Sequence, residues 1–86
     1  ARRVIEDAGY GAFFNNRLGH GIGIAVHEAP NIMEGNTTPL RPGMTFSIEP
    51  GIYIPGKLGV RIENILAVTD TGFESMNNFP RELVTI

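Results

Sequence analysis

The sequence has no cysteine, only two histidines, no long apolar run and no excess of one charge. Without cysteine there is neither a disulfide framework nor a thiolate metal site, so any metal must rest on His, Asp and Glu. Seven basic residues against nine acidic ones leave a formal net charge of −2. That balance offers no attraction for nucleic acid or for an anionic membrane surface. A bilayer span needs about 20 consecutive apolar residues, and the chain has no such run. No secretory leader opens it either, so a cytoplasmic protein without a membrane partner is the expectation. At 86 residues the chain makes one small domain at most, with a thin core.

What is present in quantity is turn chemistry: 11 glycines and six prolines. Val4, Ile5 and Ala8 form an apolar stripe on a short helix, and Gly9 is placed to end it. No helix start signal precedes the stripe, which reads as the last turns of a longer helix. Phe13 and Phe14 lie in a connector and are core candidates. Ile22 to His27 favours an extended conformation, Ala29-Pro30-Asn31 a turn, and Ile32 to Leu40 a loop. Met44, Phe46 and Ile48 alternate with Thr45, Ser47 and Glu49, the pattern of a half-buried strand with Glu49 on its polar face. Ile52 to Ile54 is a short strand closed by Pro55-Gly56. The alternation resumes at Val60, with Arg61 and Glu63 on the polar side, and runs on to Thr69. Asp70-Thr71-Gly72 then turns the chain into Phe73-Glu74-Ser75. The expected fold class is α+β, a helix remnant followed by short antiparallel strands.

Both histidines sit on one stretch, Gly19-His20-Gly21-Ile22-Gly23-Ile24-Ala25-Val26-His27. Three glycines leave the backbone beside His20 bare, which suits close approach of substrate or metal to the main chain. On a regular strand His20 and His27, an odd number of residues apart, would face opposite sides. They can share a site only if the glycine-rich segment bends. His20 with Glu49 and Glu63 is an oxygen and nitrogen donor set suited to manganese, zinc, cobalt or iron. By itself it is too small for a two-metal site. The bland alternative makes both glutamates solvent-facing strand residues and the histidines ordinary loop residues. A zinc-protease helix is excluded, because Ala29-Pro30 follows His27-Glu28 and no second histidine lies one helical turn on.

These residues carry a resemblance. The segments Gly19-His20-Gly21-Ile22-Gly23, Val26-His27-Glu28-Ala29-Pro30, Leu40-Arg41-Pro42-Gly43-Met44, Ser47-Ile48-Glu49-Pro50-Gly51-Ile52-Tyr53 and Val60-Arg61-Ile62-Glu63-Asn64 resemble the C-terminal part of the pita-bread metallopeptidases. Within that superfamily they are most similar to proline dipeptidases (prolidases) and Xaa-Pro aminopeptidases. Phe79-Pro80-Arg81-Glu82-Leu83 resembles the end of the bacterial enzymes. The resemblance runs through nearly the whole chain in the family's order.

It implies two divalent metal ions, manganese first with cobalt or zinc as alternatives, a proline-containing peptide or dipeptide as substrate, and a homodimeric parent. By matching position His20, Glu49 and Glu63 are metal ligands. Glu49 is also the group that moves the proton, His27 the non-ligand histidine beside substrate, and Arg61 an arginine that organises the site. The family's two aspartate ligands have no counterpart here, since Asp7 and Asp70 fall in the wrong places. The isolated chain is therefore expected to be inactive and to bind metal weakly. Asn16 stands where many relatives have a histidine, and asparagine can donate hydrogen bonds but cannot carry a proton charge. The alternative function is a non-catalytic pita-bread module that binds peptides or partner proteins. Such a module predicts eroded ligands, and His20, Glu49 and Glu63 are all retained.

Overall fold

The computed structural model describes residues 1–86. A six-residue helix, α1 (Arg2–Asp7), is followed by a 3-10 turn at Gly11–Phe13 and seven strands. These are β1 (Gly19–Gly21), β2 (Glu28–Ile32), β3 (Thr45–Ile48), β4 (Gly51–Ile54), β5 (Leu58–Arg61), β6 (Asn64–Val68) and β7 (Phe73–Ser75). Five of them form a sheet in the order β2-β1-β3-β6-β7, and β4 and β5 form a separate two-stranded ribbon. Every pairing is antiparallel, as expected for short strands joined by glycine and proline turns. No helix is long and apolar enough to cross a membrane.

The helix ends where the sequence indicates: Gly9 has φ +88°, a left-handed conformation that glycine adopts without a Cβ penalty. Its apolar stripe is nevertheless uncovered, with Val4 73% exposed and no buried residue on the element. Only two apolar side chains make the core, Phe14 and Phe46. Arg2 closes the helix onto that core. Its guanidinium lies 4.8 Å from the centre of the Phe14 ring and donates to the Phe14 carbonyl at 2.9 Å, so a cation–π contact and a hydrogen bond act together.

Three strand expectations need correction. Within Ile22 to His27, residues Gly23 to His27 are a run of bends rather than a strand, and the strand lies earlier, at β1. Locally made bonds replace a ladder there: Gly23 N–H donates to the Ala25 carbonyl, and Ala25 N–H to the Glu28 carboxylate. The turn expected at Ala29-Pro30-Asn31 is instead the middle of β2. Pro30 is tolerated because β2 is an edge strand and the register shifts between His20 and Gly21, so no ladder N–H is needed at that point. The strand expected to run unbroken from Val60 to Thr69 stops at Ile62-Glu63 and restarts at Asn64.

That last break has a visible cause. Ile48 faces Asn64 on one side of it and Gly51 faces Arg61 on the other, so the register is unchanged across the gap. Between them Ile62 N–H donates to the Pro50 carbonyl at 3.3 Å. Pro50 has no N–H to return the bond, and the ladder fails at that rung. Residues 45–54 and 58–67 are thus one long hairpin with an interruption, and the rung beside Pro50–Ile62 sets Glu49 opposite Glu63.

Candidate metal centre

His20 is held from three sides. A methyl group on Gly19 would overlap the Ser47 carbonyl, and one on Gly21 would overlap the Ala29 carbonyl. Both glycines are therefore required by neighbouring strands of the protein itself, which corrects the expectation that a ligand approaches the bare backbone. The fully buried Ser47 hydroxyl then accepts from His20 N–H at 3.0 Å and sits 3.5 Å from the His20 carbonyl, to which it can donate. Ser47 was expected on a solvent-facing side of β3. Both faces of that strand are covered, and its hydroxyl instead satisfies buried main chain that would otherwise be left without a partner.

The imidazole of His20 is 4% exposed. Its Nδ1 lies 2.9 Å from the Gly21 carbonyl, and a carbonyl oxygen can only accept, so Nδ1 carries the hydrogen. Nε2 is aimed at the Glu49 carboxylate, 3.6 Å away, and both side chains are largely buried. A lone pair on Nε2 and a carboxylate oxygen both seek positive charge. A proton or a metal cation between them reconciles the pair. Locking Nδ1–H on a backbone carbonyl is the arrangement that orients metal-binding histidines, so this donor set fits a divalent ion.

Glu49 lies just beyond β3, yet its backbone is fixed. Its N–H donates to the Leu18 carbonyl at 2.6 Å, and its own carbonyl accepts from Asn16 Nδ2 at 3.1 Å. The segment preceding β1 thus holds the main chain of Glu49 and sets its distance from His20.

His27 joins His20 as the bending argument requires. The two ring centres are 4.4 Å apart with planes inclined at 50°, and the residue itself is exposed. The Glu28 carboxylate braces the intervening bends, lying where a side chain on Gly23 would have to sit. Glu63 and Arg61 are different. Glu63 is exposed and shares the register position opposite Glu49 without joining His20 and Glu49, and no three His, Asp or Glu side chains converge. Arg61 is exposed and lies 3.5 Å from the Tyr53 hydroxyl. Both line a cleft of about 430 Å³ beside the Phe79–Val84 tail. Sequence reasoning missed Ser47 and the bracing role of Glu28; a small hydroxyl between Phe46 and Ile48, level with the glycines of β1, was the available signal.

The Metallopeptidase family M24 model matches residues 1–70. The chain belongs to this family. Membership of a metallopeptidase family implies divalent metal ions. A Xaa-Pro dipeptidase of Lactobacillus delbrueckii subsp. lactis is 57% identical over 83 residues, which is 96% of this chain and 23% of that protein. Among solved structures, recombinant prolidase from Thermococcus sibiricus superposes with a TM-score of 0.95 at 50% identity, covering 99% of this chain and 23% of that one. Dipeptidase PepE from Mycobacterium ulcerans gives 0.93 at 57% identity, covering 95% and 22%. The fold is thus that of part of a pita-bread domain, and the chain spans about a quarter of the length of the relatives it matches.

Proposed function

We propose that the polypeptide to which these residues belong is a dinuclear-metal peptidase that hydrolyses Xaa-Pro dipeptides, as its relatives' names describe them. Residues 1–86 are the C-terminal part of its catalytic domain. The observation that carries this reading is the buried His20–Glu49 pair, with Nε2 and Oε2 3.6 Å apart and Nδ1 committed to the Gly21 carbonyl. Glu63, opposite Glu49 in the hairpin register, adds a third donor side chain, a second carboxylate. Two aspartates from outside these residues complete the set. The hard oxygen and nitrogen donors suit manganese. Held by these side chains, such ions would supply Lewis-acid activation of water and of the scissile carbonyl.

The chain's own residues do the remaining work. Glu49 accepts the proton of the attacking water and hands it to the proline nitrogen as that nitrogen leaves. His27, exposed and with its ring 4.4 Å from that of His20, donates a hydrogen bond to the oxyanion that develops on the substrate carbonyl. Arg61, 3.5 Å from the Tyr53 hydroxyl, helps to organise the site. The parent is a cytoplasmic homodimer in this reading.

The test uses the full-length, Mn(II)-loaded polypeptide and a Xaa-Pro dipeptide. Glu63→Ala should lower kcat/KM by about 100-fold or more, as expected for loss of a metal-directed carboxylate. Thermal unfolding of the variant checks that folding survives the substitution. An unchanged rate would sink the ligand assignment.

A further inference from the structure

We infer that Asn16 is a positioning residue for the metal centre, one that fixes the backbone from which the Glu49 carboxylate projects. The inference rests on the proposed metal site and goes beyond it, because Asn16 touches neither His20 nor the Glu49 carboxylate. Its Nδ2 donates both to the Arg17 carbonyl at 3.0 Å and to the Glu49 carbonyl at 3.1 Å. Two carbonyl oxygens on one side of the amide leave only one orientation, since the flipped amide would set Oδ1 against both. Asn16 Oδ1 is buried and has no partner. A buried acceptor without a partner is unfavourable, so the two bonds from Nδ2 are kept against a penalty.

The geometry gives the bridge its consequence. Glu49 has left the β3 ladder and stands next to Pro50, which interrupts the hairpin. Apart from the Leu18–Glu49 bond, Asn16 is what ties this stretch of main chain to the segment leading into His20. Loosening it lets Glu49 drift relative to Nε2 of His20 while both ligands stay in place. A neutral imidazole at this position has a single N–H and could hold one of the two carbonyls. Asparagine holds both.

The experiment measures Mn(II) affinity of the full-length polypeptide by calorimetric titration, with thermal unfolding recorded for each variant. Asn16→Leu, which removes both donors at similar size, should raise the Kd of the His20–Glu49 site about tenfold or more, the usual effect of removing a group that orients a ligand. Asn16→His should recover part of that loss, and Asn15→Ala, whose side chain reaches only the Ala12 carbonyl, should leave Kd unchanged. If Asn16→Leu does not fold, Asn16→Asp, which also lacks the donors, carries the same expectation. Wild-type affinity in a folded Asn16→Leu or Asn16→Asp variant would overturn the inference and leave the metal site standing. A wild-type protein that binds no Mn(II) would overturn the site itself.

Discussion

The inner strands β1 and β3 and the outer ribbon β4–β5 present two halves of one proposed site, built to different standards. Around His20 the fully buried Ser47 hydroxyl meets the main chain, and two glycines let neighbouring carbonyls come within a methyl's width. On the ribbon, all four residues of β5 are exposed, and Arg61 has a single long contact to Tyr53. The contrast shows that the position of His20 and Glu49 is set by packing, whereas that of Glu63 and Arg61 is set mainly by backbone register. Packing fixes side chains. Register fixes only which residues stand opposite.

The sharpest way to break this contrast is a matched pair of glycine substitutions in the full-length polypeptide. Gly19→Ala drives a methyl into the Ser47 carbonyl, which is backbone in the middle of the sheet and cannot turn aside. It should destabilise by about 3 kcal/mol, the upper end for overpacking a tight interior. Gly59→Ala meets the edge of the Tyr53 ring at 2.8 Å, and that ring is 42% exposed and free to swing. Its cost should stay below about 1 kcal/mol. Denaturant midpoints decide the matter, and equal losses at the two glycines would erase the distinction.

Ser47→Ala probes the same inner region more gently. It removes no volume of consequence but leaves the buried His20 N–H without its acceptor. The expected loss is about 1–3 kcal/mol, read again from denaturant midpoints. A loss under about 0.5 kcal/mol would mean that water reaches the strand and that β1 is not sealed.

How much of this was legible in the residues follows the same division. The helix stop at Gly9, the strand around Phe46 and the Asp70-Thr71-Gly72 hairpin are local signals, and the structure has all three. The β1 and β2 assignments went wrong because an isolated reading takes the glycines beside His20 as room for a ligand and Pro30 as a turn. Both residues are instead answers to a neighbour: glycine admits a close carbonyl, and proline sits where a shifted register needs no donor. The buried role of Ser47 was hidden for a related reason, since alternation tells which residues share a face but not whether that face is covered. One long-range feature was readable and went unread. Glu49 and Glu63 each lie seven residues from Gly56, so a hairpin turning at Pro55-Gly56-Lys57 must set them opposite each other.

The smallest effect is expected where the ribbon has its one polar side-chain contact. Tyr53→Phe deletes a hydroxyl 3.5 Å from Arg61 Nη1, between two exposed residues. Water replaces the lost partner on both sides, so the hydrogen bond has little net value and stability should change by less than about 0.5 kcal/mol. If Arg61 depends on this contact for its direction, kcat/KM for a Xaa-Pro dipeptide falls while the denaturant midpoint stays in place. A midpoint shift of more than about 1 kcal/mol would instead place Tyr53 in a braced structure like that around His20. The ribbon would then be positioned by packing after all, and the contrast between the two halves would fail at its weakest point.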